Sequence, residues 1–292
     1  MEVLAKIKER NELIPKRKVR LTIAIPSSVV SEFKGLREKT EIIGRLARSA
    51  AVFRVEEIVI YPNEPNEAQL VKTLLSYVET PQYLRKHIFN VRPELQYAGI
   101  LPPLRTPHHP LGNRVSNLQI GEYREGVLFQ DQNGAIRIDI GVDQMLKLLG
   151  KAPSPGTRLT VKVTQTHPNL EGVIAKYTEI PDYWGFKIQV LNKSISEIAN
   201  GGFYDLSIAT SRTGKTITDK LDELKAKLAG SRSVFVAFGS PREGLQEMLT
   251  QERKTVEETF NYNLNTIPNQ GCETVRTEEA IHATLALLNI LQ

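Results

Sequence analysis

The apolar positions of this chain fall into three stretches with different periods. In the first, Arg20–Pro26 (RLTIAIP) is a continuous apolar run stopped by proline, which predicts a short buried strand. Ile42, Ile43, Leu46, Ala47 and Ala50 then repeat at helical spacing, and Glu57–Tyr61 (EIVIY) is strand-like again. Asn66–Tyr77 is predicted helical, with Leu70, Val71, Leu74, Leu75 and Val78 on one face. Strand, helix, strand, helix with short connections predicts a parallel α/β layer covered on both faces.

From about Pro93 the pattern changes. The stretch Leu101–Asn113 (LPPLRTPHHPLGN) is too rich in Pro and Gly for a helix interior. Short β-like runs follow at Gly121–Gln130, Ala135–Ile140, Thr157–Val163 and Gly172–Tyr177, divided by turn segments such as Asp131–Gly134 (DQNG) and Ser154–Gly156 (SPG). About five short strands in this space predict a small β-barrel of the oligonucleotide-binding (OB) kind.

After Asp182 the first pattern returns. Gly185–Leu191, Tyr204–Thr210, Val234–Phe238 and Phe260–Asn265 are predicted strands. Ile217–Leu228, Gly244–Leu249 and Thr277–Leu291 are predicted helices. The barrel therefore reads as an insertion that splits one α/β domain.

Composition agrees with a globular protein: 292 residues, 40% hydrophobic, 24% charged and 7% aromatic. No apolar run approaches the ~20 residues of a membrane span. The N-terminus lacks the apolar core of a secretory signal. The single cysteine, Cys272, excludes an internal disulfide and a multi-cysteine zinc site, so no metal is expected and a cytoplasmic location is. The net charge of +5 is unevenly placed. Residues 1–20 carry seven Lys and Arg against three acids, leaving 31 basic and 30 acidic residues for the rest. A basic arm on a nearly neutral body suits a polyanion, and equally describes a solvated tail.

Three segments carry candidate chemistry. Ala209–Thr216 (ATSRTGKT) matches a permissive phosphate-loop pattern between a predicted strand and helix, with Ala209 in place of the first glycine. The next buried strand runs into Gly239 rather than a metal-binding Asp, which counts against nucleotide hydrolysis. Gly239–Gly244 (GSPREG) predicts a strand–turn–helix junction, with Ser240 as N-cap and Pro241 at the first helical position. It reads either as a ligand-binding turn or as a well-capped helix start. Leu264–Glu278 (LNTIPNQGCETVRTE) is a long polar segment between a strand and the last helix, and a loop of that length is uncommon unless it is functional. His108 and His109 have no helix-spaced partner ligand, and Cys272 has no evident paired base. Neither Gly-x-Ser-x-Gly nor His-Glu-x-x-His occurs.

Taken together these segments resemble the SPOUT superfamily of knotted RNA methyltransferases, and more closely its archaeal and eukaryotic branch with an inserted OB-fold. The resemblance is carried by Leu46–Tyr61, Thr80–Phe89, Tyr97–Pro110, Gly121–Val127, Ala209–Lys215, Phe238–Leu245 and Asn265–Ala280, in that order. It implies an α/β fold with a C-terminal trefoil knot, interrupted by an OB-like barrel. The implied organisation is a basic arm (1–19), a discontinuous knotted domain (20–90 and 184–292) and an RNA-binding barrel (91–183). It implies S-adenosylmethionine held by Thr210, Ser211, Gly239, Ser240, Pro241, Gly244, Asn265, Thr266, Ile267, Pro268, Asn269, Gln270, Thr274, Val275 and Arg276. Arg212–Thr213 departs from the acidic residue followed by Arg that many relatives carry.

The implied reaction is methylation of uridine N3 in ribosomal RNA by a homodimer, with neither membrane nor metal. RNA would be gripped by Lys16, Arg17 and Lys18, and stacked on Tyr123, Phe129, Tyr177 or Tyr183. Related enzymes place a functional arginine on or after the first helix. Here that implies Arg48 as a catalytic residue orienting the base or a phosphate, with Arg45 and Arg54 read as surface or dimer contacts. The alternatives are a non-catalytic RNA-binding assembly factor on the same fold and the phosphate-loop NTPase.

Overall fold

The structure is a computed structural model in which residues 14–130 and 134–291 are described. The chain forms two compact units. Of the described residues, 17–79, 91–104 and 185–291 make an α/β unit, and 14–16, 80–90, 105–130 and 134–184 a barrel unit. The acids and bases of the arm before Ile14, and Asp131–Asn133 of the DQNG turn, lie outside the described residues.

The α/β unit is a six-stranded sheet in the order β11-β9-β10-β1-β2-β8, parallel throughout. Its strands are β1 (Arg20–Pro26), β2 (Glu57–Tyr61), β8 (Lys187–Val190), β9 (Leu206–Thr216), β10 (Ser233–Ala237) and β11 (Tyr262–Asn265). The strands alternate between two apolar cores, as a period of two requires. Leu21, Ile23, Ile25, Ile58, Ile60, Ile208, Val234 and Val236 belong to one core. Ala24, Val59, Tyr61, Ala209, Phe235 and Ala237 belong to the other. Burial on both faces is why these strands read as unbroken apolar runs.

The first core is covered by α1 (Leu36–Val52), α2 (Ala68–Glu79), α5 (Leu221–Gly230) and α8 (Thr277–Ile290). Each presents a buried stripe, such as Ile43, Leu46, Ala47 and Ala50 of α1. The second core is covered by α4 (Ile195–Ala199), α6 (Leu245–Gln251) and α7 (Val256–Thr259). A further short helix, α3 (Arg85–Ile88), belongs to the barrel unit. Among the described residues, no helix is long and apolar enough to cross a membrane.

The barrel is closed by β3 (Tyr123–Gln130), β4 (Ile136–Asp139), β5 (Leu146–Leu148), β7 (Glu171–Ile174) and β6 (Arg158–Gln165) in that order. All pairs are antiparallel except β5–β7. Leu128, Ile138, Leu146, Val161 and Val163 fill it. A buried carboxylate, Glu125, is satisfied by Arg158 Nε at 2.7 Å, Trp184 Nε1 at 2.7 Å and the Thr160 hydroxyl.

Two sequence expectations are corrected here. β9 does not stop at Thr210 but runs to Thr216, so the Gly-Lys-Thr of ATSRTGKT lies in a strand and not at a helix N-terminus. Ala209 pairs with Asn263 and Lys215 with Leu264, so residues 210–214 bulge out between two paired segments. Ile217–Lys220 is a 3₁₀ turn and the helix proper begins at Leu221. The segment is therefore not a phosphate loop, because its Gly-Lys-Thr belongs to a strand and does not open a helix.

Candidate functional site

Parallel sheets bind ligands outside the carboxyl ends of their strands, because connecting loops gather there. In this protein the loops after β10 and β11, the bulge of β9 and the turn after β1 surround a cleft of about 370 Å³. Its walls come from Thr210–Thr213, Phe238–Gly244, Asn265–Ile267, Gln270 and Glu273–Thr277, with Glu32 from the turn after β1.

Each loop is held by its own hydrogen bonds. The Thr210 hydroxyl donates to Ala237 O at 2.9 Å, clamping the β9 bulge to the end of β10. Asn265 donates to Arg212 O at 2.9 Å and accepts from Ile267 N at 3.0 Å. Arg212 donates to Glu273 O at 2.8 Å, and Gln270 donates to the Cys272 and Glu273 carbonyls at 2.8 and 3.0 Å. Gly214 lets β9 and β11 meet, since a Cβ there would lie 2.8 Å from the Leu264 carbonyl carbon.

Ser240 is not the N-cap the sequence predicts. The cap of α6 is Gly244, and Pro241 lies in a turn ahead of the helix. Ser240 instead closes a tight loop on Glu243. Its N–H and hydroxyl donate to Glu243 O at 2.8 and 3.1 Å, and its oxygen accepts from Glu243 N at 2.9 Å. Local side-chain bonding here closes a turn over Ser240–Glu243 ahead of the helix.

Arg276 Nε pairs with Glu32 Oε1 at 3.4 Å, and its guanidinium lies 5.5 Å over the Phe33 ring. The Arg276 N–H donates to Glu279 Oε2 at 3.0 Å, which caps α8. The Thr277 hydroxyl reaches Gly239 O at 3.3 Å. Glu278 is buried, and burial raises its carboxyl pKa from the ordinary value, with the Glu279 and Glu32 charges adding to the effect against the pull of Arg276.

Of the residues expected to hold a cofactor, Thr210, Ser211, Gly239, Ser240, Pro241, Gly244, Asn265, Thr266, Ile267, Gln270, Thr274, Val275 and Arg276 all meet at this cleft. Pro268 and Asn269 do not line it. Asn269 has φ +57°, a left-handed turn between Ile267 and Gln270. The sequence reading missed Glu32, Arg242, Glu243 and Thr277, which also line the cleft. Glu32 follows a buried parallel strand, but a lone carboxylate in such a turn carries no signal of its own.

The residues expected to grip RNA are scattered. Arg17 is 7% exposed, and its guanidinium donates to Phe53 O at 2.7 Å and Asn289 Oδ1 at 3.3 Å. Burial lowers its pKa to about 10, with the Arg54 charge acting in the same direction. It ties together the ends of α1 and α8 and has no free face for a phosphate. Lys18 is exposed.

From Ile14 on the arm is not a solvated tail: Pro15 bridges Asp182, and the Lys16 ammonium bonds Tyr177 O and sits 3.7 Å over the Tyr177 ring. Tyr183 is 1% exposed, so it is a core residue and no stacking platform. Tyr123 donates to Glu179 O at 2.9 Å, and Phe129 meets His87 edge-on at 4.9 Å, both rings half-buried.

Arg48 lies on the exposed side of α1, outside the cleft walls, and donates to the Leu104 and Pro103 carbonyls. Arg45 pairs with Glu41 at 2.6 Å. His108 is buried, with Nδ1 3.0 Å from the Thr106 hydroxyl. Among the described residues, no group of three or more His, Cys, Asp or Glu side chains is gathered to hold a metal ion.

The architecture is that of an α/β enzyme with a ligand-sized cleft at the carboxyl end of its sheet and a separate small barrel. A family model described as "Putative RNA methyltransferase" matches residues 20–288, and the chain belongs to that family: it is an RNA methyltransferase. It is 36% identical to an uncharacterized protein of Halobacterium salinarum, over 93% of this chain and 99% of that one. It is 31% identical to the 28S rRNA (uridine-N(3))-methyltransferase of Homo sapiens, over 92% of this chain and 77% of the human protein. The Drosophila melanogaster protein of the same name is 29% identical, over 92% of this chain and 61% of its own length.

Proposed function

We propose that the cleft binds S-adenosylmethionine and that the protein methylates N3 of a uridine in ribosomal RNA. The observation that carries this reading is the convergence of three loops far apart in sequence on one cleft of about 370 Å³. That volume falls in the usual small-molecule range of roughly 300–1,000 Å³. The wall chemistry fits the donor: the buried Phe238 for an apolar contact, hydroxyls from Thr210 and Ser211, amides from Asn265 and Gln270, and irregular backbone along 266–276 for an adenine edge. Arg212 and Arg242 form no ion pair among the described residues, which suits them to an incoming carboxylate or phosphate.

The bound donor supplies a methyl group on a sulfonium sulfur. The protein's own task is to align that carbon with the acceptor and keep water out, and hydrogen bonds within and between the loops hold their backbone in place for it. The names of the human and Drosophila relatives support uridine N3 as acceptor. N3 lies on the pairing edge, so the target must be unpaired or flipped out.

The same reading takes the α/β unit as a SPOUT-type trefoil knot. Supporting it, β10 and β11 lie on opposite sides of β9, and Thr277, the first residue of α8, bonds the Gly239 carbonyl. The barrel order, with its one parallel pair β5–β7, supports an OB-like barrel that grips RNA together with Lys16 and Lys18. The SPOUT resemblance extends the proposal to a cytoplasmic homodimer.

Calorimetry with S-adenosylmethionine and with ATP–Mg²⁺, followed by mapping of the base labelled from a radioactive methyl donor in total RNA, tests the reading. Heat from the methyl donor and label at a uridine N3 are expected. ATP binding without any response to the methyl donor would overturn it.

A further inference from the structure

The walls of the cleft come from residues beyond 209 with one exception, Glu32, which the turn after β1 delivers from the other end of the chain. A methyl acceptor at N3 of a uracil ring carries a proton that must leave as the new bond forms, so a site for that reaction needs a base within reach. Four carboxylates line the cleft: Glu32, Glu243, Glu247 and Glu273.

Three of them have other positions or partners. Glu243 accepts from Gln251 at 3.3 Å. Glu247 lies in the first turn of α6, with its carboxylate folded back beside Gly244. Glu273 is exposed on the outer turn of the 266–276 loop, where its carbonyl anchors Arg212.

Glu32 is different. Its carboxylate is 37% exposed in the cleft wall and is held by Arg276 Nε at 3.4 Å, while Phe33 stacks under the same guanidinium. Behind the pair stand two more carboxyls from α8. Glu279 is committed to capping that helix, and Glu278 is buried away from the cleft. Of the three acids around Arg276, Glu32 alone opens onto the ligand space.

Resting on the uridine-N3 reading above, we propose that Glu32 is the catalytic base of this enzyme and that Arg276 is its positioning residue. Uracil N3–H gives its proton to a Glu32 carboxylate oxygen. The N3 electron pair forms the bond to the methyl carbon, the carbon–sulfur bond breaks with its pair remaining on sulfur, and the protonated Glu32 afterwards loses its proton to water. Arg276 fixes the carboxylate rotamer, and the charges facing it are those of Arg276 and Glu278.

The test uses the full-length protein, a uridine-containing RNA that the wild type methylates, and the variants Glu32→Gln and Glu32→Asp. General-base removal is expected to slow Glu32→Gln at neutral pH by ~10²–10⁴-fold. The deficit should shrink as pH rises into the range where N3 ionises unaided, and shrink again on RNA carrying the more acidic 5-fluorouridine. Glu32→Asp should keep the wild-type pH profile with a smaller loss. Calorimetric affinity for S-adenosylmethionine and the thermal midpoint should stay at the wild-type level for both variants.

A Glu32→Gln enzyme as fast as wild type overturns the proposal. A loss that is the same at every pH and for both RNAs also overturns it, since Glu32 would then be a structural partner of Arg276. Label appearing on a base other than uridine, with wild-type enzyme, overturns instead the reading on which the proposal rests.

Discussion

Gly239 and Gly244 bracket the loop after β10, and the structure gives them unequal roles. A Cβ at Gly239 would lie 3.0 Å from Glu243 O, 3.0 Å from Gly244 Cα and 3.3 Å from Leu245 N, all backbone atoms. Those atoms cannot yield without opening the Ser240–Glu243 closure, which is held by contacts of 2.8, 2.9 and 3.1 Å. A Cβ at Gly244 would meet only the Glu247 carboxylate, at 2.7 Å, and that side chain can swing away. Neither glycine has a positive φ, so the contrast is one of space and not of backbone conformation.

Overpacking a fixed backbone costs about 1–3 kcal/mol. If the loop is half of the ligand wall, that strain weakens binding roughly 5- to 140-fold at 1.4 kcal/mol per decade. Gly239→Ala should therefore lose methyl-donor affinity by that factor while remaining folded, and Gly244→Ala should stay near wild type. Titration calorimetry with S-adenosylmethionine, alongside thermal melts of both variants, measures this. Equal losses in the two variants, or wild-type affinity in Gly239→Ala, would refute the argument.

Other expectations follow from single contacts. Glu278 has its folded pKa raised by burial, so the stability it contributes is complete below its unfolded pKa and declines as pH rises through the folded value; Glu278→Gln should melt higher than wild type at neutral pH, with the difference vanishing in acid. Lys18→Ala should lower the salt dependence of RNA binding by roughly 0.7 in the log–log slope for single strands. Arg17→Ala should instead lower the thermal midpoint, because its guanidinium is buried on Phe53 O and Asn289, and leave the slope of the folded protein unchanged. Arg48→Ala, removing the bonds to the Leu104 and Pro103 carbonyls, should cost about 1–3 kcal/mol of stability and leave methyl-donor affinity unchanged; a large affinity loss would move Arg48 into the donor site.

The elements legible in the sequence were those long enough to show a period. β1, β2 and β10 are buried on both faces and so appear as continuous apolar runs, while α1, α2 and α8 carry complete stripes. β5, with three residues, and the short helices α4 and α7 escaped because their order comes from pairing and capping, as with Ser194 and Thr255. Turn-forming residues marked the loops after β10 and β11, but composition could not say that they share a cleft. Ser240, Arg17 and Tyr183 were misread for one reason: a polar or aromatic residue in a basic or turn-rich stretch has its direction set by what packs beside it. Glu32 was invisible for a related reason, since a single carboxylate after a strand acquires meaning only when the sheet order brings β1 beside β10 and α8 sets Arg276 against it. Hydrophobic period is a local property of the chain and survives in the sequence. The company a polar side chain keeps is non-local, and only the packed sheet decides it.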